Sequence, residues 1–153
     1  MSYKEQQIYK LRRLSQKYAY TSIQMHETIG RKAGLSGTDH KYLGFIIQKG
    51  QMTAGELAIL TGLTTGAVTS LVDRFEKKDL VRRELDKNDR RKIIIIPNTK
   101  KITSILEPLY REFQSDTDNL MASFTSEELK LLETYFQKYL NLMDDTINNL
   151  NAI

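Results

Sequence analysis

The stretch Ala54–Leu71, AGELAILTGLTTGAVTSL, decides the fold. Two helices that cross closely through a short turn need a small residue at the crossing, a glycine where the backbone takes positive φ, and apolar residues that lock the pair. Ala58 supplies the crossing, Gly62 the turn, and Leu57, Leu63, Val68 and Leu71 the lock. The stretch therefore reads as a helix-turn-helix. Thr53 followed three residues later by Glu56 is a capping box for the first helix. Thr64 caps the second, which reaches Lys78 with Val68, Leu71, Val72 and Phe75 inward. Its outward side carries Thr64, Thr65, Gly66, Thr69, Ser70 and Arg74, polar groups that can approach base edges and phosphates. The plain alternative is an αα-hairpin with no nucleic-acid role.

Downstream the period changes. Leu80–Leu85 and Ile93–Ile96 are short branched-aliphatic segments, the second stopped by Pro97, and the stretch between them is polar. This pattern predicts a β-hairpin with a charged tip. A hairpin directly after a recognition helix is a wing, and Lys87, Asn88, Arg90, Arg91 and Lys92 at its tip are candidates for the adjacent minor groove. Arginine suits that place, because a narrow minor groove concentrates negative potential and the guanidinium is weakly hydrated. The same charges could instead be a solvated turn that keeps an edge strand from aggregating.

Upstream, Ile8, Leu11, Leu14 or Ser15, Tyr18, Ser22, Met25 and Ile29 step by three and four and predict a first helix ended by Gly30 and then Gly34–Gly37. Thr38 is the expected cap of a second helix through Tyr42, Leu43, Phe45, Ile46 and Ile47, closed by Gly50. After the hairpin a long helix starts at Asn98 or Thr99, with Pro108 expected to kink or break it. Thr125 and Glu128 form another capping box, and Leu129, Leu132, Phe136, Tyr139, Met143, Ile147 and Leu150 make a heptad-like seam on the last helix.

Length and composition are those of an ordinary globular chain: 153 residues, 40% hydrophobic and 27% charged. With no cysteine there is no disulfide framework, thiolate nucleophile or cysteine metal site. No apolar run approaches a membrane span or a signal peptide, so a cytoplasmic location and no membrane partner are expected. The net charge of +4 is unevenly spread. Residues 1–41 and 73–92 are basic, whereas only Lys130 and Lys138 oppose seven acids from Ser115 onward. One end suits a polyanion and the other does not.

Residues 64–96, TTGAVTSLVDRFEKKDLVRRELDKNDRRKIIII, resemble the signature region of the MarR family of bacterial transcriptional regulators, and the helix order agrees over almost the whole chain. The resemblance implies a mainly α fold with a small β-hairpin, a winged helix-turn-helix with N- and C-terminal dimerisation helices. It makes 1–153 a single MarR-like domain, with 38–98 the DNA-binding lobe and 1–30 with 99–153 the helical dimerisation region. Val68, Thr69, Leu71, Val72, Asp73 and Arg74 match the recognition helix. Asp89 and Arg91 match the wing's Asp-x-Arg, the arginine as minor-groove reader and the aspartate orienting its neighbours. The implied dimer interface takes Ile8 and Leu11 with Leu132, Phe136, Tyr139, Met143, Ile147 and Leu150. There are three departures from the pattern: Ser70 replaces a common basic residue, Asp79 a common glycine, and Pro97-Asn98 the usual Leu-Thr. The absence of cysteine argues against the branch that senses peroxide through a thiol.

Tyr18, Met25, His26 and Tyr42 are the candidate lining for a small aromatic or amphipathic effector, against the plainer reading of aromatic and Met residues at helical spacing as core. His26 and His40 stand without cysteine, which favours packed or surface imidazoles over a metal site. No nucleophile and base pair and no phosphate-binding glycine loop point to an enzyme, and no cofactor is called for. The expected function is a homodimeric, sequence-specific DNA-binding regulator, a repressor, on a pseudo-palindromic operator. The alternatives are a winged-helix protein-interaction module and a nonspecific architectural DNA binder. A steep salt dependence of DNA binding excludes the first, and a preferred sequence excludes the second.

Overall fold

Local capping signals account for most element boundaries in the computed structural model, which describes residues 1–152. The order is α1 (Tyr3–Lys32), α2 (Gly37–Lys49), β1 (Met52–Thr53), α3 (Ala54–Thr61), α4 (Thr65–Lys77), β2 (Val81–Leu85), β3 (Ile93–Pro97), α5 (Thr99–Ala122) and α6 (Ser126–Asn151). Reciprocal capping boxes open α1, α3 and α6, at Ser2 with Glu5, Thr53 with Glu56, and Thr125 with Glu128.

Three boundaries differ from the sequence expectation, and of the two outcomes expected at Pro108 the break does not occur. Helix α1 runs through Gly30 to Lys32. Gly30 is buried, and a Cβ there would lie 2.6 Å from His40 Cβ, so it permits close approach of α1 and α2 instead of ending a helix. The stop is Gly34, at φ 80°, with Leu35 N–H donating to the Gly30 carbonyl in a Schellman-type closure. Ser36, not Thr38, caps α2: its hydroxyl accepts from the Asp39 N–H. Strand β3 includes Pro97, paired opposite Val81 at the strand end. Helix α5 continues through Pro108 without a break. Pro108 and Ser104, four residues before it, are both exposed, a setting in which water can serve the carbonyl left without its N–H partner.

The first compact unit, Met1–Tyr110, holds the core. Its antiparallel sheet has the order β1-β3-β2. The hairpin register sets Arg83 opposite Ile95 and Leu85 opposite Ile93. The two residues of β1, too short to show a period, pair as Met52 with Ile95 and Thr53 with Ile94. Leu43, Ile46, Leu57, Leu71, Phe75, Leu80 and Ile95 are almost completely buried between α2, α3, α4 and the sheet, with Ile102 of α5 closing the cluster. Burying one such side chain contributes about 1.5–3 kcal/mol. The strand order fixes the wing against the helix pair.

The second unit, Arg111–Ile153, contains the end of α5 and all of α6. Helix α6 has no buried residue; along it Tyr135 stacks on Tyr139 and lies edge-on to Phe136. Among the described residues no single helix is long and apolar enough to cross a membrane.

Candidate nucleic-acid interface

Helices α3 and α4 are bent by 112° relative to each other, within the usual range for a helix-turn-helix. Gly62 makes the turn at φ 70° and ψ 10°, and its N–H donates to the Ala58 carbonyl. The conformation is left-handed, which is why glycine serves here. Thr64 then caps α4 through the Ala67 N–H. Val68, Leu71, Val72 and Phe75 point α4 into the core, leaving Thr64, Thr65, Gly66, Thr69 and Ser70 exposed along its N-terminal half. The Thr69 hydroxyl donates back to the Thr65 carbonyl, so its oxygen lone pairs are what it can offer outward.

Arg74 is exposed, as expected, and is also paired. Its Nε and Nη2 donate to Asp39 Oδ2 and Oδ1 at 3.0 and 2.9 Å. The Arg74 hydrogen bond holds the Asp39 carboxyl below the usual range, against the opposing effect of burial. Arg74 thus fastens α4 to α2.

The hairpin tip is a nested set of turns. Asp86 Oδ1 accepts from the N–H groups of Asn88 and Asp89, and Asp86 N–H donates to the Lys92 carbonyl. Asp89 Oδ1 accepts from both the backbone N–H and Nε of Arg91, at 3.1 and 3.0 Å. These two bonds, the side-chain one first, hold the Asp89 carboxyl below its ordinary value. Although held at Nε and, more loosely, at Nη2, which donates to Asp89 Oδ2 at 3.4 Å, the Arg91 side chain is 91% exposed. Lys87, Asn88, Arg90 and Lys92 are exposed beside it. On the returning side of the tip, Arg91, Lys92 and Ile93 line an open groove of about 320 Å³ together with Thr53, Ala54 and Gly55.

A residue that sequence reasoning passed over is Arg83 of β2. It bonds to Asp73, Glu76 and the Thr69 carbonyl, all on α4. The available signal was Asp73 and Glu76 at one helical step, with arginines a few residues on.

None of the four candidate effector residues lines either of the two cavities described for this chain. Tyr18 is 67% exposed. Tyr42 packs on the core with the Lys41 ammonium 5.0 Å from its ring centroid. His26 belongs to a three-residue cluster: its Nδ1 is 2.6 Å from Tyr110 Oη, which lies 3.2 Å from His40 Nε2. The two imidazoles stack at 6.0 Å. A separate small apolar cavity of about 30 Å³, between Leu35, Leu43, Leu80 and Ile102 with Lys78 at its edge, is lined by none of the four. No group of three or more His, Cys, Asp or Glu side chains suited to a metal occurs among the described residues.

The residues proposed for dimerisation are largely solvent-facing within their own units. Ile8 and Leu11 of α1 are about half exposed, as are Phe136 and Ile147 of α6, and Leu150 more so.

The sequence profile of the MarR family matches residues 33–92. The HTH-type transcriptional regulator YcgE of Bacillus subtilis is 38% identical over 137 residues, covering 90% of this chain and 88% of that protein. A MarR family protein from Bacillus stearothermophilus superposes with a TM-score of 0.71 at 26% identity, over 94% of this chain and 99% of that one. A variant of Escherichia coli MarR solved in complex with operator DNA shares the fold, with a TM-score of 0.56 at 24% identity over 88% and 96% of the two chains. YcgE is named as a regulator and not as an enzyme, in keeping with the lack of catalytic signatures. With a bent helix pair, an adjoining basic wing and a relative matched over nearly its full length, this chain belongs to the MarR family of DNA-binding transcriptional regulators.

Proposed function

We propose that the chain is a homodimeric, sequence-specific repressor of a pseudo-palindromic operator, released from DNA by a small aromatic or amphipathic effector. In this reading residues 38–98 are the DNA-binding lobe, and 1–30 with 99–153 the dimerisation region. Two copies of α4 enter successive major-groove faces about one helical turn apart, and the wings reach the flanking minor grooves. Thr64, Thr65, Thr69 and Ser70 face the bases and phosphates, with Lys87, Asn88, Arg90, Arg91 and Lys92 along the flanks. An effector that prefers a dimer with the wrong spacing between recognition helices releases DNA by shifting populations.

The observation that carries the DNA reading is Arg91, a guanidinium almost wholly in water whose root is fixed by Asp89. A solvated arginine gains little from such orientation, whereas one inserted into a minor groove does. The E. coli MarR variant bound to operator DNA supports the same use of the fold. The acidic excess after Ser115 keeps that end away from phosphate.

The test is an anisotropy titration against duplexes that the protein selects from random DNA. Arg91→Ala should weaken binding by about 1–3 kcal/mol. Its log K against log salt should lose about 0.9 of slope if a phosphate contact goes with it. Wild-type protein that is monomeric and binds no duplex at low ionic strength would sink the proposal.

A further inference from the structure

We propose that Arg83 is a positioning residue for DNA recognition: held by three acceptors on α4, it sets the rotation of the recognition helix against the wing. The inference rests on the DNA reading above and assigns that site a residue outside the expected contact surface.

Arg83 occupies β2 on the same face as buried Val81, since alternate residues of a strand share a face. Its side chain is 26% exposed, against 61% for neighbouring Arg82. Nη1 lies 2.8 Å from Asp73 Oδ1 and 2.9 Å from Glu76 Oε2, and Nη2 donates to the Thr69 carbonyl at 3.1 Å. The Arg83 backbone N–H donates to Glu76 Oε1 at 2.9 Å, so Glu76 grips both ends of the residue. Thr69, Asp73 and Glu76 follow one another at four and three residues, a stripe along one face of α4. One planar guanidinium therefore spans two turns, and it resists both rotation and sliding of the helix.

The opposite flank is fastened separately. Asp73 and Arg74, adjacent in the chain, are tied to different elements, the first to Arg83 of β2 and the second to Asp39 of α2. Outward groups on a helix sit about 5 Å from its axis, so a rotation of about 20° displaces them by roughly 2 Å. That is more than a base hydrogen bond tolerates. Thr69, whose carbonyl Arg83 holds, is itself among the groups proposed to face the bases.

A purely electrostatic role makes a different prediction from positioning, and the two are separable. Wild type, Arg83→Gln, Arg83→Lys and the double variant Asp73→Asn/Glu76→Gln are titrated by anisotropy at several NaCl concentrations. The probes are the duplex selected by wild-type protein and a scrambled duplex of equal length. Positioning predicts that both Arg83 variants lose roughly tenfold or more on the selected duplex. They should change little on the scrambled one, with a salt slope altered by much less than the ~0.9 expected for a lost phosphate contact. The double variant, which removes two negative charges near the polyanion, should gain affinity for the scrambled duplex while losing preference for the selected one. Far-UV circular dichroism confirms folding, and Arg83→Lys keeps the charge should Arg83→Gln fail to fold. Full selectivity in Arg83→Lys, or a double variant that binds both duplexes more tightly in equal measure, overturns the proposal while leaving the DNA reading intact. Wild-type protein that binds neither duplex overturns both.

Discussion

Arg74 on the recognition helix and Asp39 in the first turn of α2 form a two-point clamp, two nearly parallel N–H···O bonds of 3.0 and 2.9 Å. Asp39 is nearly buried whereas the Arg74 side chain is 52% exposed. Water therefore screens part of the attraction, and the clamp contributes less than a buried pair would. Asp39→Asn should destabilise the fold by about 1 kcal/mol at neutral pH, as read from urea unfolding midpoints. The folded carboxyl titrates below its ordinary value because of the Arg74 hydrogen bond. Its contribution is therefore complete above about pH 4 and disappears as pH falls through the folded value. The difference between wild type and Asp39→Asn should shrink in that acidic window. Equal midpoints at pH 7 would remove the clamp from the account of the fold.

Gly66 lies in the first turn of α4, and a Cβ added there would meet nothing within 4 Å in the free protein. On stability grounds alone alanine is the better residue, by about 0.5–1 kcal/mol. If the backbone there approaches the duplex, the added methyl takes the space of a phosphate or a base edge. Gly66→Ala should therefore raise the unfolding midpoint and weaken DNA binding together. A variant that is stabilised and binds as well as wild type places α4's first turn away from the DNA.

Most of the architecture was legible because it is written in local chemistry. Thr53 with Glu56, Gly62 and Thr64 are short-range signals, and each stands where sequence spacing puts it. The positive φ of 58° at Asp79 is consistent with the glycine that the MarR resemblance makes common at that position. What failed depended on partners distant in sequence. Gly30 looks like a helix stop until His40 is brought against it, and the pairing of the exposed Arg74 with Asp39, 35 positions away, leaves no local mark. Strand β1 exists only because β3 pairs with it. In the site, the exposed face of α4 follows from its apolar period. Arg83 did not, since a strand arginine beside Arg82 reveals nothing about which of the two faces a helix.

His40 offers a pH test. Burial, and then the neighbouring charge of His26, pushes its pKa below the ordinary imidazole value. The unfolded chain therefore binds the proton more readily than the folded one, and stability must fall as pH drops through about 6.5. Tyr110 Oη can donate its one proton to only one of His26 Nδ1 and His40 Nε2, and protonating His40 at Nε2 turns that nitrogen from an acceptor into a donor. Thermal unfolding midpoints should decline between about pH 7 and pH 5.5, and His40→Gln should flatten that decline. An equally steep decline in His40→Gln would assign the effect elsewhere.

The last helix provides the sharpest test of assembly. Leu132, Phe136, Tyr139, Met143, Ile147 and Leu150 recur at three and four residues along α6. No residue of that helix is buried, and Phe136 alone is 51% exposed. A continuous apolar seam of this length is uncommon on a monomer and fits a second copy of the chain, as coiled-coil spacing does. A carboxylate at its centre would have to be desolvated on association. Phe136→Glu and Ile147→Glu should each shift sedimentation from dimer toward monomer while leaving circular dichroism at low temperature nearly unchanged. Because two linked half-sites gain affinity over one, both variants should also bind the selected duplex at least about tenfold more weakly. A variant that remains dimeric and binds DNA as wild type does would move the interface off this seam.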